Sequence, residues 1–223
     1  MSTITDKEHA RRTIARRVAR ELRDGDIVNL GIGLPSLVAD EIDADIEVLF
    51  QSENGLLGIQ ALADADNHDP DLVNAGGQAI TAIPGACYFN SADSFAIIRG
   101  GHVDVTVLGA LQVDTQGNLA SWIIPGKMVP GMGGAMDLVV GARKVIVAME
   151  HTVKGQPKIL SHCSLPLTAA GQVNLIITEM AVFVVSPEGL VLTEIAPGYT
   201  VADIEAATDA PFIVSATLNP MVA

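Results

Sequence analysis

Cysteine, aromatic side chains and basic charge are all scarce in this 223-residue chain. Its two cysteines, Cys87 and Cys163, are too few for a disulfide framework. Aromatics make up only 4%, so a core has to be assembled from Val, Ile, Leu and Ala, and the 49% hydrophobic content supplies enough for one full domain. No apolar run reaches the ~20 residues that a membrane span requires. The opening residues do not read as a secretory signal. Residues 1–23 are amphipathic and arginine-rich, in the manner of a transit peptide, but they carry three acids and lead straight into an apolar run, so they read as a structural helix. A cytoplasmic location is the expectation.

Seven of the 13 Lys and Arg residues lie in residues 1–23, which leaves a remainder of 23 acids and 6 bases, a balance of −17. Such a body repels nucleic-acid phosphates and anionic membranes, so neither is expected as a partner. Glycine, in contrast, is plentiful at 21 residues, which points to tight turns and to places where backbone must approach something closely.

Taken in order, the pattern predicts a helix capped by Asp6, with Ala10, Ile14, Val18 and Leu22 on its apolar face. Arg11, Arg12, Arg16, Arg17, Arg20 and Arg23 occupy its other, solvated faces. A strand follows at 27–30, then Gly31-Ile32-Gly33-Leu34-Pro35-Ser36, where Pro35 opens a helix. This unit imitates a dinucleotide fingerprint, but Ser36 stands at the third glycine position, which excludes NAD. Backbone N–H groups at Gly31 and Gly33 can meet an anion at the helix start, or the segment is simply a tight turn. Further strands are predicted at 46–50, 79–83 (closed by Pro84-Gly85), 103–108, 120–124, 144–149, 175–178, 181–186, 190–195 and 212–216. Pro187-Glu188-Gly189 reads as a hairpin. Helices are predicted from Ser91, stopped by left-handed Gly100 and Gly101, over 138–142, and from Thr200, where Asp203 completes a cap. The loop Gly131-Met132-Gly133-Gly134 is a second place where free backbone N–H groups converge.

Several tempting motifs fall away. The acidic run 64–71 repeats no calcium or zinc spacing and reads as a loop. Gly126-Lys127 lacks the remainder of a Walker A loop. His162 and Cys163 are strand neighbours pointing to opposite faces, which argues against a nucleophile pair. No metal site is expected. The whole, residues 1–223, reads as a single α/β domain with a mainly parallel mixed sheet flanked by helices.

The apolar run 46–50 drives into Gln51-Ser52-Glu53-Asn54-Gly55, placing Glu53 just past the carboxyl end of a buried strand, the edge where open α/β sheets bind ligands. A carboxylate there can be a nucleophile, a general base or only a turn residue. Ser52-Glu53-Asn54-Gly55 with Leu56-Leu57-Gly58 resembles the active-site signature of the class I CoA-transferases, in their B (beta) subunit. Six further blocks resemble the family in order: Asn29 to Pro35, Asp71 to Gly77, Arg99 to Asp104, Ile124 to Met128, Gly131 to Asp137 and Met149 to Thr152. The likeness covers about Ala15 to Thr217. Within the family, Lys154 to Leu160 and Leu165 to Thr168 look most like subunits acting on acetoacetyl-CoA with acetate or butyrate.

The resemblance implies the CoA-transferase fold and a homologous A (alpha) subunit, as two A and two B chains. It also implies transfer of CoA between a short-chain acyl-CoA and a carboxylate such as acetate, butyrate or succinate, through a glutamyl-CoA thioester on Glu53. CoA is then a substrate, and no cofactor is called for. The Gly134 N–H would stabilise the oxyanion, helped by the alpha subunit, while Ser52 and Asn54 orient Glu53 or merely shape the turn. Gly31, Gly33, Gly100, Gly101 and Gly133 are candidate substrate-binding positions. CoA phosphates need local positive charge, for which the first helix, Arg99, Lys127 and the partner are candidates. His102 and His151 are expected as core or hydrogen-bonded side chains. Ile59-Gln60-Ala61-Leu62 and Ser36 depart from the family pattern, the first close enough to Glu53 to bear on acyl specificity. Two other readings stand beside this one: a non-catalytic ligand-binding domain on a related fold, and an acyl-CoA hydrolase.

Overall fold

The computed structural model describes residues 4–129 and 131–222. Pro130, inside the glycine-rich loop, lies outside them. Helix α1 (Ile4–Ala19) begins two residues before Asp6, so Asp6 lies within the helix and not at its cap position. Ile14, Val18 and the following Leu22 are buried, as their spacing predicts. Arg17 departs from expectation. It is buried too, its guanidinium bonded to Glu194 and Glu21 at 2.7 Å, which ties the first helix to the sheet.

After α1 come β1 (Ile27–Leu30), a 3-10 helix at Pro35–Glu41, β2 (Leu49–Ser52), β3 (Leu56–Leu62), β4 (Ile80–Tyr88), α2 (Ser91–Arg99) and β5 (Val105–Leu108). Short strands β6 (Gln112–Asp114) and β7 (Leu119–Ala120) precede α3 (Ala135–Gly141) and β8 (Lys144–Ala148). The chain closes with β9 (Thr152–Val153), β10 (Gln156–Pro157), β11 (Ile159–Leu160), β12 (Leu175–Ile177), β13 (Ala181–Ser186), β14 (Gly189–Ile195), α4 (Val201–Ala207) and β15 (Phe212–Pro220).

Ten strands form one sheet in the order β15-β14-β13-β12-β8-β5-β1-β2-β3-β4. Its centre, β12, β8, β5, β1 and β2, is parallel, and antiparallel strands extend it on both sides. The centre is parallel because its strands are apolar on both faces and must be covered on both. Val145, Val147 and Ile176 pack toward Ile98 of α2 and Leu138 of α3. Val105, Val107, Ile146 and Ile177 face the other way, toward Ile14 and Val18 of α1. Parallel strands end at a common edge, so the residues that follow β1 and β2, Gly31 and Glu53, emerge side by side.

Local chemistry explains where the chain differs from its predicted elements. Pro84-Gly85 lies inside β4 instead of ending it. The strand is at the sheet edge, where a missing N–H is tolerated, and register shifts at Ile59 absorb the irregularity. Asn90, not Ser91, caps α2, its side chain accepting from the Asp93 N–H. Of the stretch 120–124 only Ala120 lies in a strand. The Thr200–Asp203 capping box and the hairpin joining β13 to β14 are as the residues predict.

Candidate active site

Glu53 is held by the hairpin between β2 and β3. Gly55 makes the turn with φ +125°, its N–H donating to the Ser52 carbonyl at 3.0 Å. A Cβ on Gly55 would stand 2.0 Å from the Phe89 carbonyl oxygen, so only glycine fits. Ser52 Oγ accepts from the Ala75 N–H at 3.0 Å, and Asn54 Nδ2 donates to the Val73 carbonyl at 2.7 Å. Both side chains therefore brace the turn against the loop at 73–76, and Asn54 shapes the turn without bonding Glu53.

Beneath the turn runs a buried polar chain. Asn29 Nδ2 donates to Gln51 Oε1 at 2.7 Å, and Gln51 Nε2 donates to Ser94 Oγ at 2.8 Å. It locks β2 to β1 and α2, two residues from Glu53. Sequence reasoning assigned these three no part in the site; the available signal was the polar Asn29 and Gln51 inside otherwise apolar strands.

The Gly134 N–H points at Glu53 Oε1 from 3.3 Å, across 81 positions of sequence. Left-handed Gly131 (φ +96°) and Gly133 (φ +52°) bring the loop in. A Cβ on Gly134 would lie 2.9 Å from Glu53 Oε1 and 3.2 Å from the Phe95 ring, so any larger residue here would displace the Glu53 carboxylate. Burial raises the Glu53 pKa above the ordinary glutamate value, the Gly134 N–H opposes the rise, and the negative charge of Asp137 adds to it. A more basic carboxylate is a better nucleophile than a free one.

In front of Glu53 lies a cavity of about 360 Å³. Leu30 and Ile32 form one wall, Ile59, Ala61 and Leu62 of β3 another. Among the described residues its only charged lining groups are Glu53 and Asp40. The space suits a short acyl chain or an amide-bearing arm better than a second anionic group. Gly31 and Gly133 line it. Gly33, Gly100 and Gly101 do not: Gly33 (φ +93°) turns the chain toward the 3-10 helix, while Gly100 and Gly101 end α2, with only Gly101 left-handed (φ +76°). Arg143 Nε donates to the Gly101 carbonyl at 3.0 Å. The second and third of these positions thus serve the helix stop rather than the cavity.

Other titratable candidates lie elsewhere. His102 is exposed at the end of α2, contrary to expectation. His151 is fully buried between the hydroxyls of Thr178 and Thr208, each at 2.9 Å. Burial, then the charge of Lys158, depresses its pKa to about 4, so it is a neutral hydrogen-bonding group. Burial and nearby Asp114 push the Cys163 thiol up to about 12, an unreactive group at neutral pH. No cluster of three or more His, Cys, Asp or Glu able to hold a metal ion occurs among the described residues. No described helix is long and apolar enough to cross a membrane.

A half-buried glutamate at the carboxyl edge of a parallel sheet, under a glycine N–H and before a largely uncharged cavity, is the arrangement the fold presents to a ligand. The chain belongs to the coenzyme A transferase family, whose profile matches residues 11–207. It is 58% identical over 211 residues to the beta chain of the acetate CoA-transferase of Escherichia coli (strain K12), covering 94% of this chain and 96% of that one. It is 52% identical over 203 residues to the B-type chain of a succinyl-CoA:3-ketoacid coenzyme A transferase of Helicobacter pylori, covering 91% and 98%. The crystal structure of an acyl-CoA transferase apoenzyme from Escherichia coli O157:H7 superposes with a TM-score of 0.76 at 25% identity. That match covers 96% of this chain, which spans 43% of the larger protein.

Proposed function

We propose that this CoA-transferase is the catalytic beta chain of an enzyme that moves CoA from acetoacetyl-CoA, or a similar short-chain acyl-CoA, to a small carboxylic acid. Glu53 is its nucleophile. The observation that carries this reading is the half-buried Glu53 carboxylate with the Gly134 N–H aimed at it. CoA transfer keeps the thioester bond energy by exchanging one carboxylate for another, and a side-chain carboxylate is chemically the same kind of acceptor as the substrate acid.

Glu53 attacks the acyl-CoA carbonyl, forming an acyl–glutamyl anhydride and expelling CoA thiolate. The thiolate attacks the glutamyl carbonyl, leaving glutamyl-CoA and releasing the first acid as its carboxylate. A second carboxylate runs the sequence backwards and departs as the new acyl-CoA. No step draws on a metal or cofactor. The Gly134 N–H serves the oxyanion of each tetrahedral intermediate, a contribution of about 2.7–4 kcal/mol for one such donor.

Relatives on this scale of identity are named as acetate and as succinyl-CoA:3-ketoacid enzymes. Among the described residues the cavity lining holds no Lys or Arg to pair with a second carboxylate, which favours an uncharged acyl tail, hence acetate or butyrate over succinate. Because those relatives are named as one member of a pair of chains, an alpha chain is the expected partner, as two of each. Two free thiols suit a cytoplasmic setting. Steady-state kinetics of the assembled complex test the reading. Parallel double-reciprocal lines, with free thiol held below one equivalent until acceptor acid is added, are expected. Intersecting lines, or continuous thiol release without an acceptor, would contradict it.

A further inference from the structure

Two of the blocks that carry the family resemblance meet behind the nucleophile, and the reaction as written gives neither side chain a role. Arg99, the last residue of α2, places Nε 2.7 Å from Asp137 Oδ1, 38 positions along the chain. Asp137 sits in the first turn of α3, whose N-cap is Gly134. The Arg99 guanidinium also lies 5.6 Å over the Phe95 ring. A Phe95 ring carbon is 3.2 Å from where a Gly134 Cβ would stand. Arg99 thus grips the two groups that flank the Gly134 turn.

Stability is a weak reason for this arrangement. The Arg99 side chain is 65% exposed, and ion pairs so open to solvent contribute little. We propose that Arg99–Asp137 is a positioning pair for Glu53: it seats the Gly134 N–H against the carboxylate and holds the Asp137 charge at a fixed place beside it. The inference rests on Glu53 being the nucleophile. It accords with the rise in the Glu53 pKa, caused first by burial and then, against the Gly134 N–H, by Asp137. Among the described residues, the charged groups that bear on Glu53 are Asp137 from α3, itself paired with Arg99 of α2, and Asp40 in the cavity lining. Strands β1, β2 and β3 bring none. The benefit is chemical. Glu53 has to displace, and be displaced by, carboxylates of ordinary basicity, and a nucleophile much weaker than its competitors would stall the exchange.

The two partners make opposite predictions, which packing alone cannot imitate. In the assembled complex, the rate at which acetoacetyl-CoA loads CoA onto the beta chain is followed against pH by intact-protein mass. Asp137→Asn removes a negative charge, stabilises the Glu53 carboxylate and moves the acid limb of the profile to lower pH. Arg99→Gln leaves Asp137 unopposed and moves it to higher pH. Arg99→Lys keeps the charge without the planar fork, so its midpoint stays and only its rate falls. Should the first two variants fail to assemble, Asp137→Ser and Arg99→Met provide the same opposed pair. Unmoved midpoints, or midpoints that move together, would overturn the role of the pair. A wild-type complex that never acquires CoA on Glu53 would overturn the nucleophile itself.

Discussion

At position 134 a single methyl group decides whether Glu53 keeps its place. The Cβ of Gly134→Ala would intrude to 2.9 Å from Oε1 and 3.0 Å from Cδ. The carboxylate would have to swing away, and a displacement near 1 Å costs roughly 10²-fold in rate. Gly134→Pro deletes the N–H itself and is expected to lose about 10²–10³-fold in kcat. Both variants should assemble and bind acyl-CoA, with the loss confined to turnover. Glu53→Gln should show the opposite sign in stability. A raised carboxyl pKa means that ionisation is disfavoured by folding: the group's contribution is intact below the unfolded pKa and is lost as pH rises through the folded one. At neutral pH the glutamine variant should therefore melt higher than wild type, and the gap should close as pH falls toward the acid range. Thermal melts at several pH values decide this.

At this scale the place of Glu53, in a glycine-closed turn just past a strand, was legible from the residues, but a carboxylate at such a turn has several readings and its reading as a nucleophile came only from the resemblance. The Gly134 contact was legible only through resemblance, since nothing local links positions 81 apart. Asn54, adjacent in sequence to Glu53, faces the loop at 73–76 instead, because adjacent residues in a tight turn point in different directions.

Among the elements, β5, β8 and β12 were visible as Val/Ile-rich runs, β2 (Leu49–Ser52) was expected earlier, at 46–50, because its polar Gln51 and Ser52 read as turn, and β3 was not visible. Leu56–Leu62 contains Gly58 (φ +102°) and is largely exposed toward its end. A bulged flanking strand of that kind lacks both alternation and a continuous apolar run. Its exposed half is the part that matters, since Ile59, Ala61 and Leu62 line the cavity. The junction after β8 and β12 carries a separate prediction. His151 titrates at about 4 when folded, below its ordinary value near 6.5. The unfolded chain therefore takes up a proton first as pH falls. The folded state keeps its full stability above the unfolded pKa and loses it between about pH 6.5 and 4. From pH 7 to 5 this one group should cost ~2 kcal/mol. His151→Asn should shrink that pH slope in urea unfolding; an unchanged slope would show that other groups carry it.

On the scale of the whole molecule, the basic first helix and the acidic body are not independent. Arg17 bonds Glu21 and Glu194, and Lys144 bonds Glu21, joining α1, β14 and β8 in one ionic chain. Arg17→Met would leave the half-buried Glu194 short of its partner while Glu21 keeps Lys144, an expected loss of about 1–3 kcal/mol read from the denaturant midpoint. The stripe along the first helix placed its six arginines on solvated faces, because a helical stripe separates apolar from polar positions but does not show which polar ones find partners across the fold. The same blindness hid Arg99–Asp137.

The central claim, that Glu53 carries CoA between the two acids, is tested most directly by trapping it. The co-expressed alpha–beta complex is incubated with acetoacetyl-CoA without acceptor, treated with borohydride, and the beta chain is mapped by peptide mass. The account predicts a CoA adduct at Glu53, or its reduction to the alcohol, in wild type and not in Glu53→Gln. An unmodified Glu53 in a complex that demonstrably binds acyl-CoA would contradict it.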